Sequence, residues 1–86
     1  MFHACLWSAI DNLAAKNHMS CSGMARRSGL DATVFNKSKR YSRAGKPHYP
    51  SMKSVEKVLT ATGTSMVDFA EMIADASRNI ERQSKQ

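Results

Sequence analysis

Residues that break or staple a chain are scarce here: 86 residues include two prolines, four glycines and two cysteines. Pro and Gly this sparse and scattered exclude a low-complexity or disordered chain, and 42% hydrophobic residues suit one modest globular core. Cys5 and Cys21 allow at most one disulfide. No basic segment precedes the first apolar residues, and Ser8, Asp11 and Asn12 interrupt them, so no secretory signal is expected. Reduced thiols in a cytoplasm follow as the expectation. No run approaches the roughly 18 apolar residues that a membrane span requires, which sets membranes aside as a partner.

Acidic residues are what the middle of the chain lacks. Residues 26–53 hold eight cations (Arg26, Arg27, Lys37, Lys39, Arg40, Arg43, Lys46 and Lys53) against Asp31 alone. The chain's net charge is +6, so everything outside this band is nearly neutral. Clustered Lys and Arg gain free energy by releasing counterions condensed on phosphates, which makes the band the footprint of a polyanion binder. A merely solvated basic surface is the alternative on charge alone.

Hydrophobic spacing predicts an all-α fold of five short helices. Leu6, Trp7, Ile10, Leu13 and Ala14 share one face of a helix over residues 3–17. Ser20 is a good N-cap for a second helix over 21–28, with Met24 and Ala25 inward and Gly29 as its stop. Leu30 follows. Asp31 then caps an expected third helix over 31–40, with Val34 or Phe35 inward. Residues 41–50, carrying Gly45, Pro47 and Pro50, read as a loop longer than the roughly 2 to 8 residues usual between packed helices. Ser51 caps a fourth helix with Val55, Val58 and Leu59 inside and Gly63 at its end. Ser65 with Asp68 resembles a capping box, opening a fifth helix at Met66 whose buried face would be Phe69, Met72 and Ile73. Residues 1–76 would form the domain, and 77–86 a polar tail or helix extension.

The second and third expected helices, joined by Ser28, Gly29 and Leu30, have the proportions of a helix-turn-helix. Ala25 is small where two helices must approach, and Gly29 permits the positive φ of a tight turn. In such a unit the second helix enters the DNA major groove. Its exposed residues here would be Ala32, Thr33, Asn36 and Lys37, whose types suit base edges: Asn for adenine, Lys for guanine acceptors, and methyl groups for thymine. Arg26, Arg27, Lys39, Arg40, Arg43, Lys46 and His48 would hold phosphates. Phe35 and Met24 are expected in the core, and Tyr49 across the start of the fourth helix.

The stretch ARRSGLDATVFNKSKR, followed by GKPHYPSMKSVEKVLTATGTSMVDF, resembles the repressor/Cro-type (XRE-like) helix-turn-helix family. It is similar in particular to the N-terminal DNA-binding domain of phage-repressor-like bacterial regulators that also carry a self-cleaving serine peptidase domain. The resemblance spans roughly residues 6–73. It implies a five-helix domain, sequence-specific double-stranded operator DNA, binding as a homodimer, and a transcriptional regulator, expected to repress, located on the nucleoid of a bacterial cytoplasm. On matching positions Asp31 caps the recognition helix, and Thr33, Asn36 and Lys37 read bases. The usual Pro after that Asp is Ala32 here, also a good helix opener. The peptidase domain lies outside the resemblance, so self-cleavage is not carried over. The chain reads as a stand-alone Cro-like regulator or as one domain of a longer one.

Met66, Phe69, Ile73, Ala76 and Ile80 recur at intervals of 3 and 4, one apolar line along the fifth helix. It predicts a two-fold dimer contact through Phe69, Ile73 and Ile80, with recognition helices about 34 Å apart. Alternatively, Phe69 and Ile73 complete the intramolecular core.

Other functions fit less well. His3, Cys5, His18 and Cys21 are metal-ligand types, but thirteen residues of helix separate Cys5 from His18, roughly 20 Å. No metal or other cofactor is expected. The serines have no compelling catalytic partners, so no enzyme is expected either. An antitoxin-type module, neutralising a protein partner through the tail from Ala76 to Gln86 and binding its own operator, is the alternative function. RNA binding ranks low, because the basic band offers only Tyr41 and Tyr49 for stacking.

Overall fold

The apolar repeat of the first segment does form a helix, α1 (Phe2–Lys16), whose Trp7, Ile10, Leu13 and Ala14 are all buried. The computed structural model describes residues 2–84, with side chains through Ile80. Three further α-helices follow among the described residues: α2 (Cys21–Arg27), α3 (Met52–Thr62) and α4 (Met66–Ser84). The architecture is all-helical with four α-helices rather than five.

Local signals set most boundaries. Ser20 Oγ accepts the Gly23 N–H at 3.1 Å, and Ser51 Oγ accepts the Ser54 N–H at 3.0 Å, each satisfying a first-turn donor that the helix cannot pair itself. Ser65 Oγ does the same for Asp68 at 3.0 Å. Gly29 (φ 76°) and Gly63 (φ 66°) take the left-handed conformation that closes α2 and α3. The end of α1 uses a residue that sequence did not single out: His18 adopts φ 58°, and the Met19 N–H reaches back to the Ala14 carbonyl at 3.0 Å.

α1 packs along α4, and α2 contacts both α1 and α3. Met24 and Ala25 of α2, Val58 and Leu59 of α3 and Phe69 of α4 close over the α1 face. Truncating a fully buried member such as Leu13 to Ala would cost about 2–5 kcal/mol.

The expected third helix over 31–40 is where the fold departs from the sequence reading. The Val34 N–H bonds the Asp31 carbonyl and the Asn36 N–H the Thr33 carbonyl, three-residue spans tighter than an α-turn. Asn36 then turns extended (ψ 150°) before a single 3-10 turn, Lys37–Lys39. An α-helix would give the Phe35 carbonyl to the Lys39 N–H. Instead the Arg40 guanidinium donates to that carbonyl at 3.1 Å, and the Phe35 ring, 1% exposed, fills the core.

The following loop is built rather than slack. Tyr41 and Pro47 form an antiparallel bridge, and the Ser42 N–H bonds the Lys46 carbonyl at 2.8 Å around Gly45 (φ 80°), giving a small hairpin. Two side chains of α1 pin it: Trp7 Nε1–H donates to the His48 carbonyl at 3.0 Å, and His3 Nε2 lies 2.7 Å from the Arg40 carbonyl.

Candidate nucleic-acid interface

The basic segment is fixed to the core by one cation, Arg40. Its guanidinium donates to both carboxylate oxygens of Asp11 on α1, at 2.9 and 2.6 Å, and lies 4.7 Å from the Trp7 ring centroid. The Arg40 side chain is only 12% exposed. Arg40 was expected at phosphates, but its charge is turned inward and already paired. Burial pushes the Asp11 carboxyl up, yet hydrogen bonds from Arg40 and Cys21 and the charges of Arg40 and Lys37 outweigh it, holding the group below its ordinary value. Asp11 in turn keeps Arg40 charged against the opposing effect of burial. Cys21 Sγ–H donates to Asp11 at 3.2 Å, and burial together with that carboxylate pushes its thiol up to about 11.

Around this latch the other cations stay in water. Arg26, Arg27, Lys37, Lys39, Arg43 and Lys46 are exposed, as is His48, whose backbone does the structural work. The chain from Ala32 to Val55 contains no Asp or Glu, so no acid within the segment offsets them. Arg27 shares a shallow hollow with Glu56 and Lys57 of α3, which adds Lys57 to the cations at this end of the protein. The spacing of α2 and the loop gave no signal of that neighbour.

Among the residues expected to read bases, Asn36 and Lys37 are exposed and Ala32 is half-buried. Thr33 is exposed, but its hydroxyl and its backbone N–H both donate to the Asp31 carboxylate, at 2.6 and 2.8 Å. Those two bonds, the hydroxyl's first, hold Asp31 below its ordinary value. Asp31 therefore caps a turn, as its type predicts, although the turn does not continue into an α-helix.

Tyr49 joins aromatic side chains of α1. Its ring stacks beside Phe2 at 6.3 Å between centroids and meets the edge of His3 at 5.2 Å, both on α1. Sequence reasoning missed this cluster because its members lie far apart along the chain.

The apolar line on α4 is partly spent inside the molecule. Phe69 and Ala76 are 6% and 5% exposed, and Ile80 is half-buried in a hollow it shares with Ser8 and Asn12 of α1. Phe69 thus packs in the core while one side of it borders the groove between α3 and α4, and Ile80 faces α1. What stays open is a groove of about 450 Å³ between α3 and α4, lined mainly by Val55, Leu59, Met66, Phe69, Ala70 and Ile73. Beside it Met66 and Val67 are 80% and 67% exposed.

No helix among the described residues is long and apolar enough to cross a membrane. No protein-family model matches the chain, and no curated protein or solved structure matches it either.

Proposed function

We propose that this protein is a sequence-specific double-stranded DNA-binding regulator of the repressor/Cro type, a repressor acting in a bacterial cytoplasm. The observation that carries the reading is the acid-free cationic segment, whose cations other than Arg40 are exposed while Arg40 ties it to Asp11 on α1. A flexible basic loop would bind any polyanion, whereas fixed donors discriminate between base edges. Asn36 and Lys37 are the primary base readers, with Ala32 and the Thr33 methyl beside them. Arg26, Arg27, Lys39, Arg43, Lys46 and His48 hold phosphates. The element entering the major groove is a pair of tight turns rather than a helix.

A second copy of the chain is the occupant assigned to the α3–α4 groove. Its lining is mostly apolar on both helices, with Met66 and Ile73 of α4 facing Val55 and Leu59 of α3 and Glu56 at its edge. A two-fold axis would set the groove of one protomer against that of the other, with Ile73 and Met66 between them.

Selection of bound fragments from random duplex DNA tests the reading. A near-palindromic consensus is expected, bound by two copies in sedimentation. Lys37→Ala should relax preference at one base position at a cost of about 1–3 kcal/mol, whereas Arg43→Ala should weaken all sequences alike. With about 4–6 phosphate contacts per subunit, the slope of log affinity against log salt should be about −4 to −5, doubled in a dimer. No enriched sequence, or affinity indifferent to salt, would refute the assignment.

A further inference from the structure

We infer that the base of the 41–47 hairpin, with the start of α1, is a stacking surface for the unpaired nucleotides of a single DNA strand. The inference rests on the nucleic-acid reading of the basic segment and adds a second form of ligand to it. Three aromatic residues meet there around His3, which is itself buried: Tyr41 and Tyr49 lie 4.9 and 5.2 Å from its ring centroid, and Phe2 lies 6.3 Å from Tyr49. Yet Phe2, Tyr41 and Tyr49 remain 57%, 55% and 47% exposed. Single exposed aromatics are ordinary, but a cluster left open to water marks a contact surface.

The surroundings select the partner. Arg43 and Lys46 stand exposed on the same hairpin, within the segment that has no acid, so an anionic chain is favoured over a neutral apolar one. An unpaired strand supplies both complements: phosphates for the cations and a π-face on every base for the rings. In a duplex those faces are already stacked on each other. The platform is also rigid before binding, because His3 Nε2 holds the Arg40 carbonyl at 2.7 Å and Trp7 Nε1–H the His48 carbonyl at 3.0 Å. Little backbone freedom is then lost when a base settles on it.

The test compares three probes by fluorescence anisotropy on the full chain: a thymidine strand of about 15 nucleotides, the same strand with abasic sites, and the selected operator duplex. The phosphates of the two strands are equal, so only the bases differ. The thymidine strand should bind about tenfold or more tightly than the abasic one. The double variant Tyr41→Ser, Tyr49→Ser should erase that preference, Tyr41→Phe with Tyr49→Phe should restore it, and operator binding should be unaffected in both. Equal binding of the thymidine and abasic strands would overturn the inference, and this comparison needs no variant to fold. So would an acidic peptide of equal charge that binds as tightly as the thymidine strand. If the operator duplex binds while the two strands are not distinguished, the stacking surface alone fails. If the strands are distinguished but no duplex sequence is preferred, the operator reading alone fails.

Discussion

Removing the Asp11 carboxylate should show that Arg40 holds the fold together instead of holding DNA. Two charge-assisted hydrogen bonds, at 2.9 and 2.6 Å, end on this group. Such bonds contribute about 1.5–3 kcal/mol each when buried. Asp11 is 42% exposed, so water screens part of that, and the low end of the range applies. The Arg40 side chain, at 12% exposure, cannot recover its hydration without leaving the Trp7 ring and the Phe35 carbonyl. Asp11→Ala is therefore expected to cost about 2–3 kcal/mol, roughly 10 °C or more in Tm for a domain of this size. Urea titration followed by far-ultraviolet circular dichroism measures it, and Trp7 fluorescence reports the latch directly. The pH dependence has a definite sign. Asp11 is held below its unfolded value, so its stabilisation is complete above about pH 4 and is lost as pH falls through the lower folded value. The gap between wild type and Asp11→Ala should be constant near neutrality and close in acid. A phosphate-binding Arg40 makes the opposite forecast: losing Asp11 would free the cation and tighten DNA binding. The latch is refuted if Asp11→Ala changes stability by less than about 0.5 kcal/mol and Arg40→Gln lowers the salt slope of operator binding by about one.

Two further outcomes follow from the same geometry. Gly29 stands at φ 76° with no atom within 4 Å of where a Cβ would sit, so Gly29→Ala should cost about 1 kcal/mol through backbone conformation alone. Gly29→Asn should cost less, and equal melting temperatures for all three proteins would contradict the argument. The Cys21 thiol, raised to about 11 by burial and by Asp11, should alkylate at about pH 8 on the order of a hundredfold more slowly than in the urea-unfolded chain. Asp11→Ala should speed the reaction, as peptide mapping of the modified cysteine would show; an unchanged rate would mean that the carboxylate does not control the thiol.

Short-range chemistry made much of this protein legible from its sequence. Ser20, Ser51 and Ser65 accept first-turn N–H groups three residues ahead, and Gly29 and Gly63 supply left-handed stops, all interactions decided within a few residues. The repeat of Leu6, Trp7, Ile10 and Leu13 likewise needs only helical geometry to define a buried face. The local signal at Asp31 was right only for the first turn, which it caps without opening an α-helix. What it could not reveal is that Arg40 pairs with Asp11, 29 residues earlier, and takes the Phe35 carbonyl that an α-helix would have used. Sequence likewise drew one apolar line on α4 but could not say which neighbour would cover it. Packing gave Phe69 and Ala76 to the core and left the α3–α4 groove open. Residue type and near neighbours set where the four α-helices begin and where positive charge collects, so those features could be read along the chain. Which cation turns inward, which aromatics gather and whether residues 31–40 become a helix were settled by packing, because burial and ion pairing join segments that the chain alone does not place side by side.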